Sequence, residues 1–145
     1  MSWLLDTNVV SEAAKPRPDA NVIAWIDRHS TQQAHLYLSA LTLAELFRGV
    51  MRLERQSPRF ARLWSWIRSD VTTRFAGRIL PFGADVAQTW GEMTATLPSG
   101  VAVPVMDSLI AATARHHGLV LVTRNVVDVR HFPGLAVDNP WLTGS

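Results

Sequence analysis

The sequence predicts one α/β domain built on a mainly parallel sheet. Short apolar runs bounded by polar turn formers alternate along the chain with longer segments whose apolar residues recur at helical spacing. Two of the runs, one ending before Asp6 and one ending before Thr123, have no polar face, which is typical of strands covered on both sides. The length of 145 residues suits a single domain, and we expect that domain to span residues 1–145.

The predicted strands lie between turn-forming residues. The first strand ends before Asp6, and the others are expected at 35–39, 78–81, 119–122 and 135–137. Since the strands are separated by helical segments rather than by hairpin turns, the sheet is expected to be mainly parallel.

Helices are predicted in the intervals. A short first helix through Ala14 is stopped by prolines at 16 and 18, and Asp19 can cap a second helix. Four further helices are predicted. The first opens at Thr42, and the second runs from Pro58 to about Val71. The third carries Val86, Trp90, Met93 and Leu97 on one face, and the fourth runs from Val105 to His117 with Gly118 in the C-cap position.

The composition excludes several classes of protein. There is no cysteine, so the chain has no disulfide, no thiolate metal site and no cysteine nucleophile. No apolar run approaches the length of a membrane span, and the apolar start is too short for a secretory signal. We therefore expect a soluble, cytoplasmic protein. The net charge of +2 permits contact with nucleic acid and does not by itself establish it.

Acidic and amide side chains follow or precede the strands at positions that should share one edge of the sheet. Right-handed crossovers place the start of each crossover helix at the carboxyl edge. Asp6 ends the first strand, while Glu45 and Asp107 are predicted in the first turns of two helices. Asn125 and Asp128 follow the strand at 119–122. These segments are therefore expected to meet at the edge where open α/β sheets bind ligands.

Each position also has a purely structural interpretation. Asp6, or the Thr7 and Asn8 beside it, can cap the next helix, and Thr42 with Glu45 fits a capping box. A helix dipole favours an acid such as Asp107 in a first turn, and Asn125 and Asp128 suit a turn.

The convergence of the acids is harder to explain in this way. Carboxylates gathered at one place repel each other, and each pKa rises unless a cation neutralises them. Carboxylate oxygens without cysteine suit a hard divalent ion such as Mg²⁺. Such an ion can activate water and polarise a phosphoryl oxygen, so the pattern indicates phosphodiester chemistry.

Four segments carry a resemblance to a known family. They are Leu4-Leu5-Asp6-Thr7-Asn8, Ser39 to Glu45 with Leu46 and Gly49, Met106 to Ala114, and Leu121-Val122-Thr123-Arg124-Asn125 with Asp128. In this order and spacing they resemble the PIN-domain ribonucleases, and among these the VapC and FitB type toxins of bacterial toxin–antitoxin pairs. The resemblance covers essentially the whole chain.

The resemblance implies a three-layer α/β/α sandwich that cleaves RNA with Mg²⁺ or Mn²⁺. It also implies a small antitoxin partner and a homodimer within a toxin–antitoxin hetero-oligomer. Asp6, Glu45 and Asp107 match the family's core acids and would be its metal ligands. The fourth acid is expected where Asn125 stands, so Asp128 can replace it, act through water or only cap a helix.

The resemblance also suggests which side chains assist the acids. Thr7 and Thr123 match positions whose hydroxyls order an acid or touch the metal's water shell. Asn8 is expected to support the site from behind the acids, and Asn125 stands at its rim.

Three arginines, Arg48, Arg52 and Arg55, are predicted on one helical face. They could contact RNA phosphates, contact an acidic or amphipathic antitoxin segment, or simply form a solvated surface. Two other functions stay open. One is a catalytically weak interaction module with the same fold, which the amide at Asn125 keeps possible. The other is a phospho-transfer or receiver domain, although Asn8 and the early position of Lys15 do not match the acid and lysine that such domains use.

Overall fold

The computed structural model describes residues 1–31 and 35–142. Five parallel strands form its central sheet in the order β3-β2-β1-β4-β5. The strands are β1 (Trp3–Leu5), β2 (Leu36–Ser39), β3 (Ile79–Leu80), β4 (Val120–Val122) and β5 (Val137–Asp138). Because the chain builds outward from β1 to β2 and β3 and then returns to place β4 on the other side, the direction of winding reverses between β1 and β4. Ligands bind open α/β sheets at this kind of switch point.

Helices cover both faces of the sheet. They are α1 (Thr7–Ala13), α2 (Ala20–Ser30), α3 (Ala40–Met51), α4 (Pro58–Ser65), a π-helical segment (Trp66–Val71), α5 (Thr72–Arg74), α6 (Ala84–Ala95), α7 (Val105–His116) and α8 (Val126–Val129). In the part of the chain that the structure describes, no helix is long and apolar enough to cross a membrane.

Two apolar cores lie on opposite faces of the sheet, since successive residues of a strand point to opposite sides. Leu5 of β1 packs with α1, α2, α3 and the π-helical segment, and its neighbour Leu4 packs with α6 and α7. The first core contains Val9, Trp25, Leu46 and Ile67, and the second contains Val86, Met93, Ile110 and Leu121. The predicted three-layer α/β/α sandwich is confirmed.

The predicted start of the third helix was wrong. Helix α3 begins at Ala40, and the hydroxyl of Ser39 caps it by accepting the Leu41 N–H at 3.0 Å. Strand β2 therefore runs directly into the helix. Thr42 lies inside the helix and is buried, and Glu45 lies in its second turn. A capping box formed by Thr42 and Glu45 is excluded, because the cap residue is Ser39, three residues before the position that this pairing would need.

Smaller differences concern the ends of elements. The predicted helix from Pro58 becomes π-helical at Trp66, which the amphipathic pattern does not distinguish because Ile67 and Val71 stay on the buried side. The last strand is shifted to Val137–Asp138. The predicted domain of residues 1–145 includes 32–34 and 143–145, which lie outside the described residues.

Candidate active site

Asp6 occupies the centre of the carboxyl edge, where β1 meets β4. The side chain is only 4% exposed, and its two oxygens have different partners. Oδ1 accepts the N–H of Thr7 at 2.8 Å, and Oδ2 accepts the hydroxyl of Thr123 at 2.7 Å. Asp6 is thus both the N-cap of α1 and an acid fixed across the switch point. The two interpretations of this residue are compatible.

Burial is the largest influence on the pKa of Asp6. Desolvation raises the pKa of its carboxyl group, the hydrogen bonds from Thr123 and Thr7 act in the opposite direction, and the nearby Glu45 carboxylate raises it further. The net pKa is above the ordinary aspartate value. The two hydrogen bonds to Asp6 therefore do not offset the cost of burying its negative charge, and a nearby cation would stabilise the carboxylate.

Asn8 connects the two strand ends. Its amide nitrogen lies 3.4 Å from Asp6 Oδ2 and 3.3 Å from the Thr123 hydroxyl, and its Oδ1 accepts the Arg124 N–H at 3.3 Å. The N–H of Asn125 also donates to the Thr123 hydroxyl at 3.0 Å. This network fixes the turn after β4 against the start of α1, so Asn8 and Thr123 lie where the sequence predicted them.

Glu45 reaches the same edge from α3. Its Oε1 accepts the hydroxyl of Thr7 at 2.5 Å, and the hydroxyl of buried Thr42 lies 3.3 Å from that of Thr7. These contacts join residues 35 to 38 positions apart in the chain. Thr42, which the sequence suggested only as a helix cap, belongs to the polar network behind Glu45.

Asp107 lies in the first turn of α7, as predicted, and is partly buried. Its pKa is raised to about 6, first by desolvation and then by the negative charges of Asp6, Asp128 and Glu45. A hydrogen bond with the Asn125 side chain acts in the opposite direction. The charges of the other three predicted acids therefore act on Asp107 at the carboxyl edge, and Asn125 lies beside it.

The donor set at this edge consists of carboxylate, hydroxyl and amide oxygens, which suits a hard divalent cation. In residues 1–31 and 35–142, no three His, Cys, Asp or Glu side chains converge closely enough to hold an ion among them. This arrangement is compatible with Mg²⁺, which commonly uses one or two carboxylates and keeps several waters. Repulsion by the neighbouring acids raises the pKa of Asp107, and a bound cation would reduce this repulsion.

The predicted arginine face is only partly present. Arg48 and Arg52 lie at the exposed end of α3, but Arg55 is beyond the helix, where its guanidinium lies 5.7 Å from the centre of the Phe60 ring. None of the three lines the groove that opens beside Glu45.

That groove, the α1–α4 groove, has a volume of about 530 Å³ and lies between α1, α3, α4 and the π-helical segment. Its cationic lining residues are Lys15, Arg59 and Arg62, and its apolar lining residues include Leu46, Val50, Leu53, Leu63 and Trp66. Thr7 and Glu45 form its wall towards the acids, so the groove and the acidic edge are continuous.

These features define an α/β protein with an acidic ligand site at the switch point of a parallel sheet. The chain belongs to the PIN-domain family, because residues 3–128 match the family's model, described as the PIN domain.

Two relatives match nearly the whole chain. Toxin FitB of Neisseria gonorrhoeae is 39% identical over 141 residues, which cover 95% of this chain and 97% of that protein. The VapC ribonuclease Y4jK of Sinorhizobium fredii is 37% identical over 139 residues, which cover 95% of this chain and 96% of the relative.

Solved structures show the same fold. The crystal structure of FitAcB from Neisseria gonorrhoeae matches with a TM-score of 0.86 and 38% identity, covering 95% of this chain and 97% of that one. VapBC-5 from Mycobacterium tuberculosis, a member of the VapBC family of toxin-antitoxin systems, matches with a TM-score of 0.62 and 25% identity, covering 95% and 96% of the two chains.

Proposed function

We propose that this protein is a metal-dependent endoribonuclease that acts as the toxin of a toxin–antitoxin pair, with residues 1–145 forming one PIN domain. The observation that carries the proposal is the gathering of Asp6, Glu45, Asp107 and Asp128 at one edge of the sheet, where Asp6 and Glu45 are fixed by the hydroxyls of Thr123 and Thr7. Burial and the charges of the other three acids raise the pKa of Asp107 to about 6. Such a group of acids is destabilised by repulsion when no cation is bound, and it can bind a cation for catalysis. The relatives named toxin and ribonuclease support the same function. A cytoplasmic location is part of the proposal, because RNA is the proposed substrate.

The residues that would hold the ion, one or two directly and the others through its bound waters, are Asp6, Asp107 and Glu45, with Asp128 as the fourth acid of the site. Mg²⁺ fits these oxygen donors, and Mn²⁺ accepts the same ligands. When bound, the ion supplies an activated water and polarises the phosphoryl oxygen.

The other polar side chains orient the acids. The hydroxyl of Thr123 donates to Asp6 and that of Thr7 donates to Glu45, which fixes the orientation of both carboxylates at the edge. Asn8 holds Thr123 in place, and Asn125 favours the ionised form of Asp107 by lowering its pKa. Since groups behind a metal site commonly change affinity or activity by about 10- to 100-fold, we assign Thr7, Asn8 and Thr123 this supporting role.

The α1–α4 groove is the proposed docking site for the antitoxin. It combines apolar side chains with three cationic ones, so it suits an amphipathic segment that carries acidic residues. Its continuity with Thr7 and Glu45 would let such a segment cover the acidic edge. Structures of the VapBC toxin-antitoxin family share the fold and support a partner of this kind.

A substitution in the groove tests this assignment. Leu53→Asp should abolish binding of the antitoxin while RNA cleavage continues. Met51→Asp is the control, because Met51 is 39% exposed and does not line the groove. Equal binding by both variants would contradict docking in the groove. The homodimer within the hetero-oligomer is tested by sedimentation of the toxin alone and of the complex.

The nuclease activity is tested by incubating the purified protein with structured RNAs and Mg²⁺ or Mn²⁺. The wild-type protein should cleave, and Asp6→Asn should not. Asp85→Asn, the same change at an exposed acid beside the other end of α7, should cleave like wild type. Equal cleavage by wild type and Asp6→Asn would overturn the assigned site. Binding of RNA with no cleavage in either Mg²⁺ or Mn²⁺ would favour the interaction module.

A further inference from the structure

Arg124 lies at the edge of the acidic site and has no role in the network described above beyond its backbone. Its Cζ lies 5.2 Å from the centre of the Trp141 ring. The residue is exposed, and its guanidinium forms no hydrogen bond or ion pair with any residue of the described chain. An arginine side chain carries five N–H donors, and those of Arg124 have no hydrogen-bond partner among the described residues, although its charge lowers the pKa of Glu12.

The backbone of Arg124 is fixed relative to the acids. Its N–H donates to Asn8 Oδ1 at 3.3 Å, and the preceding residue, Thr123, donates its hydroxyl to Asp6. The side chain of the residue after it, Asn125, lies close enough to Asp107 to lower the pKa of that carboxyl group. Arg124 is therefore the middle residue of a three-residue turn whose other two members both contact acids of the site.

Trp141 is also held firmly. Its N–H donates to Asn139 Oδ1 at 2.9 Å, and its carbonyl oxygen accepts the Asn21 side chain at 2.9 Å. The ring packs against the core that contains β1 and α2 and is only partly exposed. An aromatic face fixed in this way restricts the guanidinium plane through a cation–π contact and leaves the N–H edge available.

We propose that Arg124 binds a phosphate of the RNA substrate beside the cleaved bond, with Trp141 as the ring that positions its guanidinium. This inference rests on the proposed ribonuclease function and adds a substrate-binding residue to it. A phosphate is the ligand that the geometry favours, because a planar guanidinium can donate two parallel hydrogen bonds to it. A cation beside a cluster of acids also allows a polyanion to approach that cluster.

Binding of RNA without cleavage tests the proposal. A labelled single-stranded oligoribonucleotide is titrated with the Asp6→Asn protein, alone and combined with each second substitution, at several salt concentrations. Arg124→Ala should weaken binding by about 10- to 100-fold, the effect of losing hydrogen bonds to a charged group. The slope of log K against log salt should fall by about 0.7, as for one phosphate contact on a single strand.

Further variants separate charge, geometry and stability. Arg124→Lys keeps the charge and should bind with intermediate affinity. Trp141→Leu should weaken binding less than Arg124→Ala and leave the salt slope unchanged. Arg74→Ala is the matched control, since Arg74 is also exposed and lies over an aromatic ring, 5.8 Å from Phe75, but precedes the amino end of β3. It should change neither affinity nor slope.

Cleavage kinetics provide a second measurement. With Asp6 intact, Arg124→Ala should raise KM for RNA much more than it lowers kcat, because the contact serves binding. Unchanged affinity, slope and KM in a protein that still cleaves RNA would overturn the role of Arg124 alone. Equal losses in Arg124→Ala and Arg74→Ala would also overturn it, as would a loss of antitoxin binding with RNA binding unchanged. A wild-type protein that neither binds nor cleaves RNA would overturn the proposed function and this inference together.

Discussion

Asp107 and Asp85 occupy equivalent positions on two packed helices, the first turns of α7 and α6, yet their carboxyl groups behave in opposite ways. The pKa of Asp85 is lowered, first by the N–H of Val86 and also by His116, whose Nε2 lies 3.1 Å away. The pKa of Asp107 is raised to about 6 by burial and by three other acids. The two sites lie at opposite ends of α7, since His116 ends that helix.

The difference separates an acid that stabilises a helix from an acid that awaits a ligand. Both side chains gain from a helix dipole, so the first-turn position alone predicts the same behaviour for each. The surroundings decide the outcome. Asp85 is exposed and faces a histidine that can carry positive charge, whereas Asp107 is partly buried and is affected by the negative charges of Asp6, Asp128 and Glu45.

The largest expected contrast is in catalysis. Asp107→Asn should reduce RNA cleavage by about 10²- to 10³-fold, the usual effect of removing one preorganised electrostatic group. Asp85→Asn should cleave at the wild-type rate. The measurement is kcat/KM for one RNA under saturating Mg²⁺ or Mn²⁺, and equal losses in the two variants would remove the distinction between the acids.

A smaller contrast is expected for the threonines behind the acids. Thr7→Val keeps the shape of the side chain and removes the hydroxyl that donates to Glu45, so activity should fall by about 10- to 100-fold. Thr89→Val removes a hydroxyl that lies 2.9 Å from His116 Nδ1 beside Asp85, and activity should be unchanged. If both proteins keep full activity, the orientation of Glu45 by Thr7 has no functional role.

Asp107 and Asp85 should contribute to the stability of the metal-free protein with opposite dependences on pH. The folded-state pKa of Asp107 is above its ordinary value of 3.8, so ionisation of this group destabilises the fold as the pH rises from about 4 to about 6. Asp107→Asn should therefore stabilise the protein by about 1–3 kcal/mol above pH 6, as the rise in the pKa of Asp107 implies. This gain should disappear below pH 4, where the carboxyl group is protonated in both the folded and the unfolded state.

Asp85→Asn should do the reverse. Because the pKa of Asp85 is lowered, its stabilising contribution is present above the ordinary aspartate pKa and is lost as the pH falls through the folded-state value. Its removal should cause a small loss of stability at neutral pH. Urea unfolding with a chelator present, at several pH values, measures both variants. A gain from Asp107→Asn that does not depend on pH would contradict the electrostatic explanation.

Much of the acidic edge was predictable from sequence because it follows from the order of strands and helices. Asp6 and Asp107 lie where the direction of the strands and the right-handed crossover place them. The same rule would also place Asp85 at that edge, since α6 follows β3. It lies beside the other end of α7 because two helices, α6 and α7, separate β3 from β4 and only the second starts at the acids.

The rest required the three-dimensional structure. The hydrogen bond between Thr7 and Glu45 joins residues 38 positions apart, and that between Thr123 and Asp6 joins residues 117 apart. No local pattern specifies such contacts. The cap of α3 was predicted at Thr42 because the sequence fits a capping box, but Ser39 also has a capping side chain and lies directly at the end of β2.

Proton release on metal binding tests most directly whether the acids of the carboxyl edge form a cation site. A ligand carboxyl must lose its proton to bind a metal ion, and at pH 6 Asp107 is about half protonated. Calorimetric titration with Mg²⁺ or Mn²⁺ in buffers of different ionisation enthalpy should show release of about half a proton at pH 6. Release should fall towards zero at pH 8 and be smaller in Asp107→Asn, in which Asp6 is the remaining proposed ligand with a raised pKa. Metal binding without proton release, or with equal release from wild type and Asp107→Asn, would contradict the assignment.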